Sequence, residues 1–224
     1  MVKNYLEIEK LKTQTIILSG NVRFNPNHDA KGRFTTGSGS GGLSSNGGNI
    51  KNITGQGKTY NDALITAKSG QSADIAWRVD TDSHSPEDFN KCKALIKTDG
   101  GSVAAVTQDG DIISVCKNKK DNVSGKELIE AAVEAGGTKL DSYDGNYGFY
   151  RKCGFEPVSW TKWDDRYAPS GWDPKRDSRE DIIFFKYTGN KSNLSFEELR
   201  FEKENWKNSK KPAADYDAAE KERG

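Results

Sequence analysis

Long hydrophobic runs are missing from this 224-residue chain, of which only 33% is hydrophobic and 30% is charged. No stretch approaches the roughly 18 consecutive apolar residues that a membrane helix needs, so no membrane partner is expected. Charge of one sign is missing too. Lysine plus arginine number 34 and aspartate plus glutamate 33, a net of +1. No global basic field therefore demands nucleic acid, although local basic patches leave it open as a partner. Cysteine is scarce and odd in number, with Cys92, Cys116 and Cys153 far apart. The charged stretch Met1 to Leu18 holds no apolar h-region, so free thiols in a reducing cytosol are expected. The two histidines, His28 and His84, have no cysteine or histidine at ligand spacing, so no metal is expected.

Glycine, by contrast, is plentiful at 23 residues and unevenly placed. The stretch Thr35 to Lys58 holds eight glycines and four serines in 24 residues. Ordering such a segment costs much entropy and buries little, so it reads as a flexible linker. Residues 1–34 ahead of it are too few for a core of their own. The expected division is an N-terminal segment over 1–34, a linker over 35–58, a folded domain over 59–189, and a C-terminal helix with a charged tail over 190–224. Ser195 and Glu198 mark that helix as cap and capping-box partner, and Ser209 to Gly224 is expected to fray.

Within the domain, Tyr60, Ala63, Leu64 and Ala67 recur at helical spacing. Ile75 to Val79 reads as a strand. Ser85-Pro86-Glu87-Asp88 opens a helix, with Phe89, Cys92, Leu95 and Ile96 as its apolar face. Val103–Thr107 and Asp111–Cys116 flank Gln108-Asp109-Gly110, a hairpin signal. Ser124 and Glu127 box the start of a helix striped by Leu128, Ile129, Ala132 and Val133, which Gly136-Gly137 ends. A strand over 138–143, a short helix over 146–152 and two strands, Phe155 to Trp160 and Ile182 to Tyr187, follow. The class is mixed α/β, with a mostly antiparallel sheet flanked by helices.

The strand-loop-helix junction near Ser124 collects unpaired amides and a positive helix end, which suits a pyrophosphate, and Lys117, Lys119 and Lys120 add charge. Downstream, Phe149-Tyr150-Arg151-Lys152-Cys153-Gly154-Phe155 resembles the FYxxxGF signature that closes the core of the GNAT superfamily of N-acetyltransferases. Lys120-Asp121-Asn122-Val123-Ser124-Gly125 stands where that family has its Arg/Gln-x-x-Gly-x-Gly/Ala phosphate loop, with Val123 in place of the middle glycine. The resemblance covers roughly 75–187. It implies a GNAT-like fold and acetyl-CoA as cofactor. The diphosphate would lie near Lys120, Asn122, Ser124 and Gly125, and the thioester carbonyl on the strand backbone at Val115 and Cys116. Tyr150 would be the general acid for the departing thiolate. No base is evident; Asp111 and Glu156 are the carboxylates to consider. Asn25 to Gly37, followed by Gly/Ser, is similar to the NPNHD-x-x-GRF linkers of phage and prophage proteins. That implies a phage-encoded protein in the host bacterial cytoplasm, with carriage in the virion as an option, and an unidentified host or phage protein as partner.

Other residues have plainer readings. Cys116 and Cys153 read as small core residues. Asp80, Asp82 and His84 suit an acid/base group or a polar turn equally. Trp160 to Trp172 is an aromatic insertion that includes Trp163 and Tyr167; it either engages a substrate or partner by stacking or packs on its own sheet edge. Two functions compete. One is acetyl transfer to an amine. The other is a non-catalytic module that engages a virion protein, a host-defence protein or nucleic acid through its aromatic loop and tails. Modification of a nucleobase is a third option.

Overall fold

Gly110 turns the hairpin at φ 86°, a conformation open mainly to glycine, between strands β4 (Val103–Val106) and β5 (Ile112–Cys116). This computed structural model describes residues 43–45 and 48–224. The expected 1–34 segment and linker positions 35–42 lie outside the described residues. Strands β1 (Leu43–Ser45), β2 (Gly48–Asn52), β3 (Ala94–Thr98), β4 and β5 form one antiparallel sheet in that order. Strands β6 (Lys139–Tyr143), β7 (Phe155–Thr161) and β8 (Ile182–Tyr187) form a second, in the order β6-β8-β7. The architecture is a mixed α/β fold with antiparallel sheets flanked by helices.

Helices α1 (Gly57–Ser69), α2 (Ala73–Ala76) and α3 (Pro86–Asn90) precede β3, with α1 and α3 packing on one face of the first sheet. Tyr60, Leu64, Phe89, Leu95, Val103 and Ala105 fill the apolar layer between them. On the opposite face, α4 (Gly125–Glu134), α5 (Tyr147–Cys153) and α6 (Phe196–Ser209) cover a larger core that runs through both sheets. Leu128, Ile129, Phe155 and Phe185 in it are fully buried, worth about 2 kcal/mol each. Ser124 and Glu127 form the expected capping box, as do Ser195 and Glu198.

Four expectations are corrected. Ile75 to Val79 is not a strand. Ser72 is extended at the N-cap and Asp74 lies in the first turn, so α2 forms there, and Trp77 is buried against other rings rather than in a ladder. The helix opened by Ser85 stops at Asn90, and Leu95 and Ile96 belong to β3. That strand is covered on both faces, and a short apolar run reads alike in a buried strand and a helix. Residues 48–58, expected as linker, are strand β2 and the start of α1. Gly57 is there for packing, since an added Cβ would lie 2.0 Å from the Pro86 carbonyl. The tail does not fray either: Tyr216–Arg223 is a helix, α7, capped by Asp215, whose carboxylate accepts from the Ala218 amide at 2.8 Å.

Candidate functional site

The two sheets meet at one point among the described residues, a parallel bridge between Asp111 and Lys139. Past it, β5 leaves β6. The register between β4 and β5 shifts in a bulge, and Ser114 takes φ 50°, left-handed backbone that costs a serine about 1 kcal/mol. The buried Tyr60 hydroxyl from α1 donates to the Ser114 carbonyl at 2.8 Å and holds the kink. β5 is thus the edge of one sheet and β6 the edge of the other, joined among the described residues only at that bridge. Val115 and Cys116 follow the bulge. Val115 packs on the α4 side, whereas the Cys116 thiol is buried on the α1 side. Burial pushes that thiol up to about 12, so it is no nucleophile, and Cys153 is pushed to about 12 by the same cause. Cys92 is also buried and raised, and none of the three forms a disulfide.

From β5 the chain enters the loop of Lys117 to Ser124. Asp121 turns inward, although a free carboxylate belongs in water. Its carboxylate accepts from the Thr98 hydroxyl, from the Ser102 amide at 3.2 Å and from the Val123 amide at 2.9 Å. Burial alone would raise its pKa; the hydrogen bonds from Ser102, Thr98 and Val123 outweigh that and hold it below the usual range. The Lys120 amide donates to Asn118, and the Ser124 amide to Glu127 at 2.8 Å. Val123 is buried in the core, while Lys120 and Asn122 are exposed. The capping box engages two of the four orphan amides of α4, those of Ser124 and Glu127. The Gly125 and Lys126 amides at the first turn are the ones left to meet an anion.

Tyr150 lies on α5 among Phe149, Phe155 and Phe185, 8% exposed. Ser142 of β6 lies near its hydroxyl and accepts from Asn146 at 3.0 Å. Burial first, then the nearby Cys153, raises its pKa well above the phenol range, so it keeps its proton. Tyr150 and Val115 pack on the same core, and the Phe149 ring beside Tyr150 lies next to Gly125. Among the described residues no group of three or more His, Cys, Asp or Glu is placed to hold a metal.

The aromatic insertion divides. Trp163 and Trp172 stack at 5.1 Å and join Trp77 and Tyr143, whose rings lie 5.0 Å apart. Trp160 stays out of this group: its indole donates to the Lys210 carbonyl at 2.8 Å and Lys207 lies 4.6 Å over its ring. Tyr167 is 80% exposed, beside Arg166. The aromatic group borders Glu180, which pairs with Arg78 and is raised chiefly by burial. Of the carboxylates considered as bases, Asp111 is held by Arg223 of α7, with the Nη1 donor at 3.1 Å, and Glu156 accepts from Asn190 at 3.0 Å. Sequence reasoning missed Trp77, Tyr143, Asp141 and Arg223. Only Asp141 and Tyr143 carried a signal, the alternation of Asp141 and Tyr143 with the inward Leu140 and Ser142.

No protein-family model matches the chain, and no curated protein matches it. Two solved structures are similar. A probable acetyltransferase of the GNAT family from Chromobacterium violaceum ATCC 12472 is 12% identical, with 75% of this chain and 96% of that one covered at a TM-score of 0.39. A GCN5-related N-acetyltransferase from Brucella melitensis is also 12% identical, with 83% and 89% covered at a TM-score of 0.40.

Proposed function

We propose an acyl-CoA-dependent N-acyltransferase, phage- or prophage-encoded, that acts in the host cytoplasm on an amine of a host or phage target. The observation that carries this reading is the parting of β5 from β6 at the Ser114 bulge. Two strand edges that part without pairing offer main-chain donors and acceptors to an extended arm, as a sheet edge does to a peptide. The arm of acetyl-CoA would pair with such edges. Its diphosphate fits less of the loop than the sequence implied, because the amides of Lys120, Val123 and Ser124 already have acceptors. It would rest on the Gly125 and Lys126 amides, with Lys120 supplying charge.

The cofactor supplies an acyl group activated as a thioester. Backbone at Val115 and Cys116 would orient the carbonyl, and the surrounding apolar residues exclude water. Tyr150, kept protonated by burial, holds the proton that a departing thiolate takes up. Calorimetric titration with acetyl-CoA tests this, with a dissociation constant below about 1 mM expected. No heat at millimolar cofactor would overturn the reading. Given binding, Tyr150→Phe should lower turnover about 100-fold with little change in affinity; unchanged turnover removes the assigned acid.

A second reading rests on its own observation, the seated carboxylate of Asp121 in the phosphate loop. It makes the domain a non-catalytic module acting through its aromatic insertion, Trp163, Tyr167 and Trp172, and its tails on a virion protein, a host-defence protein or nucleic acid. Absence of acetyl-CoA binding would favour it.

A further inference from the structure

Asp111, the bridge residue just before β5, and Asp141 of β6 meet where the two sheets join. Neither faces the α4 core: Leu140 and Ile112 do. Both carboxylates turn toward α7. Arg223 of that helix lies against Asp111, with Nη1 to Oδ1 at 3.1 Å and a closer Nη2 to Oδ2. Its Nη2 also approaches Glu220 at 3.4 Å, and its guanidinium lies 5.4 Å over the Phe184 ring. Tyr216 of α7 lies beside Asp141. Arg223 is 0% exposed, yet its Nε has no hydrogen-bond partner.

Charge and packing both mark this as an occupied site rather than a finished core. One guanidinium faces three carboxylates, those of Asp111, Asp141 and Glu220, so negative charge is in excess. A buried ion pair adds little net stability after desolvation. The eight-residue helix that carries Arg223 buries only Ala219 beside it. Such a helix does not hold its shape alone. Its other anchors are the Tyr216 ring on Phe184 at 4.9 Å, the Ser159 hydroxyl on the Ala219 carbonyl at 2.5 Å and the partly exposed Lys210–Glu222 ion pair at 3.4 Å.

We propose that Asp111 and Asp141 form a binding site for a guanidinium cation, filled within the chain by Arg223 and open to an external guanidinium when α7 lifts. The ligand is an arginine side chain of another segment or a free alkylguanidinium; both offer the same planar fork to a carboxylate. The inference does not depend on acyl transfer.

The test uses the full chain without acetyl-CoA, so its outcome is separate from that of the cofactor titration. Arg223→Gln keeps the carboxylates and removes the resident cation. A synthetic peptide of residues 211–224 and free agmatine are the two probes. Arg223→Gln should bind the peptide at least about tenfold tighter than the wild type does, a difference of about 1.4 kcal/mol. Binding of agmatine as well identifies the free cation as sufficient, and binding of the peptide alone identifies an arginine on a helical segment. Adding Asp111→Asn should abolish either. Uptake of neither probe beyond the wild-type level, or uptake that survives Asp111→Asn, overturns the proposal. Should Arg223→Gln fail to fold, amide exchange in the wild type decides: agmatine should speed exchange over 216–223 at least about threefold, and unchanged protection refutes the site.

Discussion

Asp121 and Asp141 are two enclosed carboxylates at opposite ends of β5, and their environments drive them in opposite directions. Asp121 sits in a tight loop and takes hydrogen bonds from neutral donors, a hydroxyl and two amides. Its charge is favoured despite burial, and its pKa lies below the usual range. Asp141 is pushed up to about 6, first by burial and then by the charge of Asp111. Its relief comes from Arg223 and Tyr216, both on a helix with few other anchors. The first carboxylate is built into the scaffold; the second depends on a part that can leave. Short-range donors fixed by the backbone make a rigid anion site, whereas like charges held by a docked helix make a responsive one.

The sharpest way to break that comparison is to remove each carboxylate and compare the losses. Asp121→Ala strands the Thr98 hydroxyl and the Ser102 and Val123 amides without an acceptor in a loop that cannot open cheaply. The expected cost is about 3–5 kcal/mol, summed over donors at about 1–3 kcal/mol each. Urea unfolding measures it. A loss under about 1 kcal/mol would mean that water replaces the carboxylate and that the loop is not rigid.

Asp111→Ala should cost less, about 2 kcal/mol, although it strips a fully buried arginine of its closest partner. Breaking such a pair usually costs about 3–5 kcal/mol. Here α7 can undock and return Arg223 to water, so the loss is limited to what docking contributes. Amide exchange should show residues 216–223 unprotected in this variant while β3 and β4 keep their protection. Protection retained across α7 would show instead that the helix is fixed as firmly as the loop of Asp121.

Most of the fold was legible where local chemistry and periodicity agree. The capping boxes at Ser124 and Ser195 and the Asp109-Gly110 hairpin fold as read, because each is decided by a few adjacent residues. Trp77 was misplaced because its burial comes from Tyr143 and Trp163, far along the chain. The tail was misjudged for a similar reason. Only Tyr216, Ala219 and Arg223 face the sheet, and the arginine is buried by carboxylates more than 80 residues away in sequence, Asp111 among them. The loop over 120–125 was placed, but the inward turn of Asp121 depends on Thr98 and Ser102 of another hairpin. A motif read along the chain does not contain that contact.

The smallest expected effect has the most specific signature. Asp141 faces Asp111, the residue before β5, and Arg223, Glu220 and Tyr216 of α7, with Tyr143 on its own strand and Tyr150 of α5 nearby. Its pKa is raised from 3.8 to about 6, so the folded state holds this proton more tightly than the unfolded one. The stability gained from the protonated carboxyl is present in full below about pH 4 and is lost as pH rises through about 6. Asparagine stays neutral and keeps an acceptor oxygen beside Tyr216. Asp141→Asn should therefore match the wild type at pH 4 and exceed it at pH 7.5 by about 1 kcal/mol, less than the shift alone implies because α7 can lift to relieve the charge. Thermal melts should show a gap of about 2–4 °C at the higher pH, closing as the buffer is acidified. A gap of equal size at both values would mean that the asparagine acts through packing, and that Asp141 carries no like-charge penalty for α7 to relieve.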